Sequence, residues 1–399
     1  MMELTQIEYN FIVLLGAALE NRMVVSNELS PDANMTEILR LSYKHKLYHM
    51  ILSALPSELV PEGIDRRNNL LGCVATQVAA SSSFLALLKE LEDAGFHPLV
   101  VKGIVCRALY PRPELRPSSD EDLYISPEEF EPCCAFLLSR GWKANKTEFS
   151  QWGEVGWHNK DGLYIELHRC LFENELSSLS DLFAFDTLPK ELYPNDYGLS
   201  VASMDPHHHF LYLILHAYKH FVHSGFGIRQ VCDVGFWAKH YHQRLDWNRL
   251  MLQCEDLRIK GFAAALLGIA RHYLNISLPL SQKWDCPKDY CLPMLKDILV
   301  GGIYGAADPD RLHSVNLTLH AVKNGKKSSL LQRALFPPKK ELESGYPFIK
   351  KHPLLLPVAY VRRICLYAGK ALRKEVNASS SIAIGKERVD LLRFYNILD

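Results

Sequence analysis

Leu115-Arg116-Pro117-Ser118-Ser119-Asp120-Glu121-Asp122-Leu123-Tyr124-Ile125 is the stretch on which the reading of this chain turns. Prolines at 111, 113 and 117 impose an extended approach, and Asp120 to Ile125 then alternates as a strand does. Strand side chains alternate with period two, so Asp120 and Asp122 aim to one side and Glu121 to the other. Two carboxylates placed together repel unless a cation lies between them, which makes the pair a natural Mg²⁺ site when phosphates are present. An isolated Asp-x-Asp is more often a solvated acidic cluster, so its neighbours decide.

Upstream, His97-Pro98-Leu99-Val100-Val101-Lys102-Gly103 reads as a strand closed by a turn, followed by a short helix from Ile104 to Tyr110. Downstream, Ser126-Pro127-Glu128-Glu129 starts a helix that runs to Arg140-Gly141: Ser can cap it, Pro suits its first position, and Glu129 can close a capping box. Pro132 is expected to kink it. Lys160-Asp161-Gly162, between alternating runs at 152–159 and 163–169, signals a hairpin. On its second strand Leu163, Ile165 and Leu167 share one face, and Tyr164, Glu166 and His168 the other. Lying beside the Asp120 strand, this strand would add Glu166 as a third carboxylate, enough for two metals or for one metal and an attacking hydroxyl, and would bring His168 close. Lys102 reads as a phosphate ligand at the turn or as an ordinary strand-end lysine held in solvent. Arg116 could pair with a phosphate or with Asp120 and Asp122.

Outside this core the pattern is helical. From Thr5 to Leu91 apolar residues recur at helical spacing, broken at Ser30-Pro31-Asp32 and around Pro56 to Pro61, and Asp93-Ala94-Gly95 stops the last helix. The pattern resumes at Asp205. His209, His216, His220 and His223 follow at spacings of seven, four and three and share one helical face. Without a His-Glu-x-x-His arrangement, His216 and His220 are expected to line a cleft against the sheet rather than to chelate zinc. Arg229 and Asp233, four apart on a helix, read as a supporting ion pair or as facing substrate. The stretch 306–327 fits a mobile loop and a short helix equally, and the tail after Lys374, with Ser379-Ser380-Ser381, is expected to be the least ordered part. The division expected is a helical region at 1–84, an α/β core at 85–195, a helical domain packed on it at 196–290, and a C-terminal helical region with a mobile tail at 291–399.

Composition sets the outer limits. The 399 residues exceed one compact core, and 48% hydrophobic with 23% charged residues marks a folded chain. Lys plus Arg balance Asp plus Glu at 45 each, so no global field favours nucleic acid or a membrane. No uninterrupted apolar run reaches about 18 residues, and the acidic N-terminal start is unlike a secretory signal, so a cytoplasmic location is expected. The 10 cysteines are scattered without a Cys-x-x-Cys and read as reduced structural thiols. Gly225-Phe226-Gly227 lacks the third glycine and preceding strand of a dinucleotide fingerprint, and neither a Walker-type phosphate loop nor a Gly-x-Ser-x-Gly elbow occurs.

Together, Val100-Val101-Lys102-Gly103, Leu109-Tyr110-Pro111, Leu115 to Leu123 and Tyr164-Ile165-Glu166-Leu167-His168 resemble the minimal, MNT-like nucleotidyltransferases, within them the uncharacterised nucleotidyltransferase group. Further matching segments are His216 to His220, Arg229 to Asp233, and Tyr346-Pro347 through Pro357 to Arg363. The resemblance implies an α+β fold, a small mixed β-sheet nucleotidyltransferase core flanked by N-terminal and C-terminal helical regions. It implies that Asp120, Asp122 and Glu166 bind Mg²⁺ (or Mn²⁺) and act in catalysis, with Lys102, Gly103, Arg116, His168, His216 and His220 around the nucleotide. The expected partners are a nucleoside triphosphate and a small-molecule, peptide or protein acceptor, with no membrane and no nucleic acid. Many nucleotidyltransferases carry Gly-Ser at the turn where this chain has Lys102-Gly103-Ile104, so phosphate positioning would fall to Lys102 and to backbone N–H groups at the helix start. That departure keeps two rivals open: a nucleotide-binding regulatory protein without turnover, and a partner-binding module built on the helical regions.

Overall fold

In the computed structural model of the chain, the Asp120 stretch leads into an interior strand. β1 (Leu99–Val101), β2 (Glu121–Tyr124), β3 (Lys143–Ala144), β4 (Glu154–His158) and β5 (Tyr164–His168) form one mixed sheet in the order β1-β2-β5-β4-β3. The structure describes residues 3–31, 33–118, 120–146, 153–172, 179, 181–195, 197–223, 225–303, 342, 349, 355–360, 362 and 378–398, the side chains of 378–382 excepted. The readings made for Trp152, for 306–327 and for most of 346–363 lie outside these residues. β2 is antiparallel to β1 and parallel to β5, while β4 is antiparallel to β5 and to β3. The architecture is the expected α+β one with a small mixed sheet.

Local chemistry fixes the strand ends. At the β4–β5 turn the Asn159 side-chain oxygen accepts from the backbone N–H of Asp161 at 3.0 Å and of Leu163 at 2.9 Å, and Gly162 takes a φ of +87°. Helix α6 (Pro127–Ser139) begins where Ser126 accepts from the Glu129 N–H at 3.2 Å, and it covers the sheet with Phe130, Cys133, Cys134 and Leu137.

A second, two-stranded sheet, β6 (Lys190–Pro194) with β7 (Ser200–Met204), lies against β1. The expected boundary at 195/196 falls within this hairpin. Helix α7 (Pro206–Val222) follows, capped by the Asp205 side chain at the His207 N–H. Phe210, Leu211, Ile214 and Leu215 of α7 are fully buried, each stabilising by about 1.5–3 kcal/mol relative to exposure, so packing fixes where its histidines go. Helices α8 (Ile228–Tyr241), α9 (Trp247–Asp256), α10 (Lys260–His272) and α11 (Lys288–Gly301) complete this side.

At the N-terminus α1 (Gln6–Leu19), α2 (Met35–Lys44), α3 (Tyr48–Ala54) and α4 (Arg66–Asp93) share the same buried cluster. By length and composition α4 is apolar enough to cross a membrane, although its buried residues run from Gln77 to Leu91 on the body of the protein. A criterion of uninterrupted apolar residues passes over it because serines and a glutamine interrupt the run. Within the stretch after Lys374, residues 378–394 form α12 (Ala378–Phe394), followed by buried Tyr395 and Ile397. Burial of Val389, Leu392 and Tyr395 outweighs the weak helix preference of the three serines.

Candidate functional site

The parallel pairing of β2 with β5 sets Asp122 opposite Glu166 and Tyr124 opposite His168. With alternating side chains, Asp122, Glu166 and His168 share one face, and their ligand atoms all lie within 4.8 Å of one another. This is the one such group of three potential metal donors among the described residues. His168 Nε2 is 3.2 Å from Asp122 Oδ1 and 3.8 Å from Glu166 Oε2. Asp122 is only 2% exposed. Across the hairpin Glu154 pairs with His168 and Gly156 with Glu166. Gly156 leaves room for Tyr164, whose hydroxyl would be 2.1 Å from a Cβ there and reaches Glu166 at 3.5 Å.

Lys102 closes the site from the turn after β1. Its φ of +65° is strained for a residue with a side chain and costs of order 1–3 kcal/mol. The Lys102 N–H donates to His209 Nε2 at 3.2 Å. His209 Nδ1 lies 3.1 Å from the Ser203 hydroxyl, which itself donates to the Val100 carbonyl at 2.5 Å. The imidazole therefore accepts at Nε2 and donates at Nδ1, and pins the turn as a neutral ring. Lys102 Nζ reaches 2.9 Å from Asp122 Oδ2 and 3.3 Å from His216 Nε2, and His220 Nε2 is 3.2 Å from His216 Nε2.

The electrostatics follow from burial and from this one ammonium. Burial opposes the Lys102 charge, but Asp122 outweighs it and holds Lys102 well above its usual range. Burial likewise opposes the Asp122 charge, and Lys102 with His168 keeps its carboxyl below the usual range. Glu166 is pushed up to about 7 by burial and by Asp122 beside it. Burial and Lys102 push His209 and His220 down to about 3 and His216 well below its ordinary value. A cation between Asp122 and Glu166 would relieve the repulsion that raises Glu166, so the donor set suits a divalent ion.

Glu121 faces the other way, as alternation requires. It accepts from the Ile104 N–H at 2.8 Å and pairs with Arg107, which also donates to Ser81 at 2.6 Å. The Val105 and Cys106 N–H groups return to the Lys102 carbonyl at 3.0 and 3.2 Å. At this helix start the N–H groups of Lys102, Ile104, Val105 and Cys106 are engaged by protein partners, and α5 (Gly103–Arg107) is a single short turn. Gly103 has a φ of +39°, and a Cβ there would lie 1.9 Å from Glu121 Oε2. Gly103→Ala should accordingly destabilise the protein by about 2–4 kcal/mol, read as a lowered urea midpoint at unchanged slope.

Arg116 pairs with Asp233 and not with Asp120 or Asp122. Its Nε and Nη2 donate to both oxygens of Asp233 at 2.8 and 2.7 Å, fully buried, and the Tyr110 hydroxyl joins Asp233 at 2.7 Å. Arg229 donates to the Pro117 carbonyl rather than pairing with Asp233. Asp120 precedes β2 and lines the same cleft without joining the group of three, while its charge still raises Lys102 and Glu166.

The cleft has a volume of about 590 Å³, in the range for small-molecule sites. The sheet gives it a carboxylate wall of Asp120, Asp122, Glu154 and Glu166; Lys102 and α7, with Lys219, His216 and His220, give the other wall. Glu154 was not anticipated, although counting back from the Asp161-Gly162 turn pairs it with His168. A larger cavity, about 1050 Å³, lies away from this site between α1 and α11.

A family model described as an uncharacterised nucleotidyltransferase matches residues 31–275, a span that includes every cleft residue named above. No curated protein and no solved structure matches the chain.

Proposed function

The chain belongs to the uncharacterised nucleotidyltransferase family, and on that premise we propose that it moves a nucleoside monophosphate from a nucleoside triphosphate to a hydroxyl or phosphate acceptor. The acceptor is a small molecule, peptide or protein, and pyrophosphate is released. The observation that carries the reading is the convergence of Lys102, Asp122 and Glu166 in one cleft. Asp122 and Glu166, with Asp120 nearby, would hold Mg²⁺ or Mn²⁺, which when bound polarises phosphate oxygens and acidifies the acceptor hydroxyl. Lys102, kept as an ammonium, would turn from Asp122 to a phosphate once a cation neutralises that carboxylate. Glu166 would share that ion and help deprotonate the acceptor as a carboxylate, the form that the cation favours. The free thiols of the nine described cysteines support a reducing, cytoplasmic setting.

A second reading, nucleotide binding without turnover, is favoured by the engagement of the Lys102, Ile104, Val105 and Cys106 N–H groups, which shifts phosphate positioning towards side chains. Calorimetry of Mg²⁺ with each nucleoside triphosphate, followed by pyrophosphate release in the presence of acceptors, decides between them. Absence of triphosphate binding would sink both; binding without pyrophosphate release would leave the second.

Glu166 adds a pH signature. A divalent ion needs its carboxylate, so cation affinity should rise with pH through about 7 and fall below it. The stability sign is opposite. A carboxyl raised in the folded state contributes stability that is full below its unfolded value of 4.5 and lost as pH rises through about 7. Glu166→Gln should thus stabilise the ion-free protein on the alkaline side by about 1–2 kcal/mol, allowing for its partial exposure, and should flatten the pH dependence of cation binding. Thermal melts across this range, with and without Mg²⁺, check both signs.

A further inference from the structure

One of the three converging donors is a nitrogen, and its placement bears on which ion the cleft takes. We propose that His168 Nε2 is a direct ligand of the bound ion, that Glu154 is the positioning residue behind it, and that the site prefers a first-row transition ion of the Mn²⁺ type to Mg²⁺. The proposal rests on the reading that this cleft binds a divalent cation.

Adjacent ligand atoms around an ion at about 2.1 Å lie roughly 3 Å apart. The 3.2 Å from His168 Nε2 to Asp122 Oδ1 already matches, and the 3.8 Å to Glu166 Oε2 closes with a small side-chain rotation. His168 is 7% exposed and carried by a strand paired on both sides, so its ring is aimed by the sheet rather than by a loop. Behind it, Nδ1 faces Glu154 Oε2 at 3.5 Å. A carboxylate on the remote nitrogen is the usual companion of a metal-bound imidazole: it holds Nδ1–H and leaves the Nε2 lone pair for the ion. Mg²⁺ favours all-oxygen coordination and sheds water reluctantly, whereas first-row transition ions from Mn²⁺ onward more readily accept an imidazole beside two carboxylates.

The test is pulsed electron paramagnetic resonance of the full chain with Mn²⁺ alone, alongside Mn²⁺ and Mg²⁺ titrations. The expected result is a directly coordinated ¹⁴N signal that becomes a ¹⁵N signal on ¹⁵N-histidine labelling of the unaltered protein, a check that needs no variant. His168→Ala should remove the signal and weaken Mn²⁺ roughly 10- to 100-fold with far less effect on Mg²⁺, while His216→Ala and His220→Ala keep it. Glu154→Gln, at a half-exposed position, should lower the Mn²⁺ to Mg²⁺ preference about tenfold. Bound Mn²⁺ without nitrogen coupling, or coupling that survives His168→Ala, overturns this inference and leaves the cation-binding reading standing. Failure of both ions to bind overturns the two together.

Discussion

Asp122→Asn is expected to lower turnover by about a thousandfold and to abolish divalent-cation binding in calorimetry. The substitution keeps shape and removes charge at the point where three groups meet, since one oxygen of Asp122 faces Lys102 at 2.9 Å and the other faces His168 at 3.2 Å. It also strips Lys102 of its counter-ion in a buried setting, which by itself costs about 3–5 kcal/mol. Lost activity could then reflect lost folding, and a double-mutant cycle separates the two. Lys102→Met combined with Asp122→Asn removes the unpaired ammonium and should recover most of the stability without recovering cation binding. Wild-type cation affinity in Asp122→Asn would move the metal site away from this cleft.

How far the sequence carries depends on the range of each interaction. Period-two alternation was enough to put Tyr164, Glu166 and His168 on one face and to turn Glu121 away from Asp122, because both follow from neighbouring residues. The Asp161-Gly162 turn set the hairpin. The parallel partnership of β2 and β5 is different: it joins Asp122 to Glu166 across 43 intervening positions, and the residue pattern offers their adjacency only as a condition, without its direction. That register makes Asp122, and not Asp120, the member that meets Glu166 and His168. The engagement of the Ile104 N–H was hidden because Glu121, an acid read only as facing away, caps the turn from the opposite side of the strand. β6 and β7 carry no run of apolar side chains, and Tyr193 is the one buried residue of β6, so neither shows a strand pattern in sequence. The C-terminal helix is not legible in serine content, which describes local preference, whereas Tyr395 is held by Tyr290 and Met294, about a hundred positions away, and Leu392 is buried in the same core.

Arg116 is the case where sequence position and physical role diverge most, and Arg116→Met is expected to cost about 3–5 kcal/mol of stability. Its guanidinium forks onto both oxygens of Asp233, and only the Tyr110 hydroxyl would remain to satisfy that buried carboxylate once it is gone. Burial already works against the Asp233 charge, and Arg116 is what holds its carboxyl below the usual range. Removing either partner leaves the other charged and dry, so Asp233→Asn should destabilise by a similar amount, whereas Arg116→Met with Asp233→Leu should regain most of the loss. The pair also ties the chain before β2 to α8, with Arg116 Nη1 3.4 Å from the Gly103 carbonyl. Its loss should therefore weaken triphosphate binding indirectly, in step with stability and equally for both single variants. Urea melts and triphosphate titrations on the same four proteins test this. If Arg116→Met loses triphosphate while Asp233→Asn retains it, Arg116 acts on phosphate directly; parallel losses make it the brace that positions Asp122 for the ion.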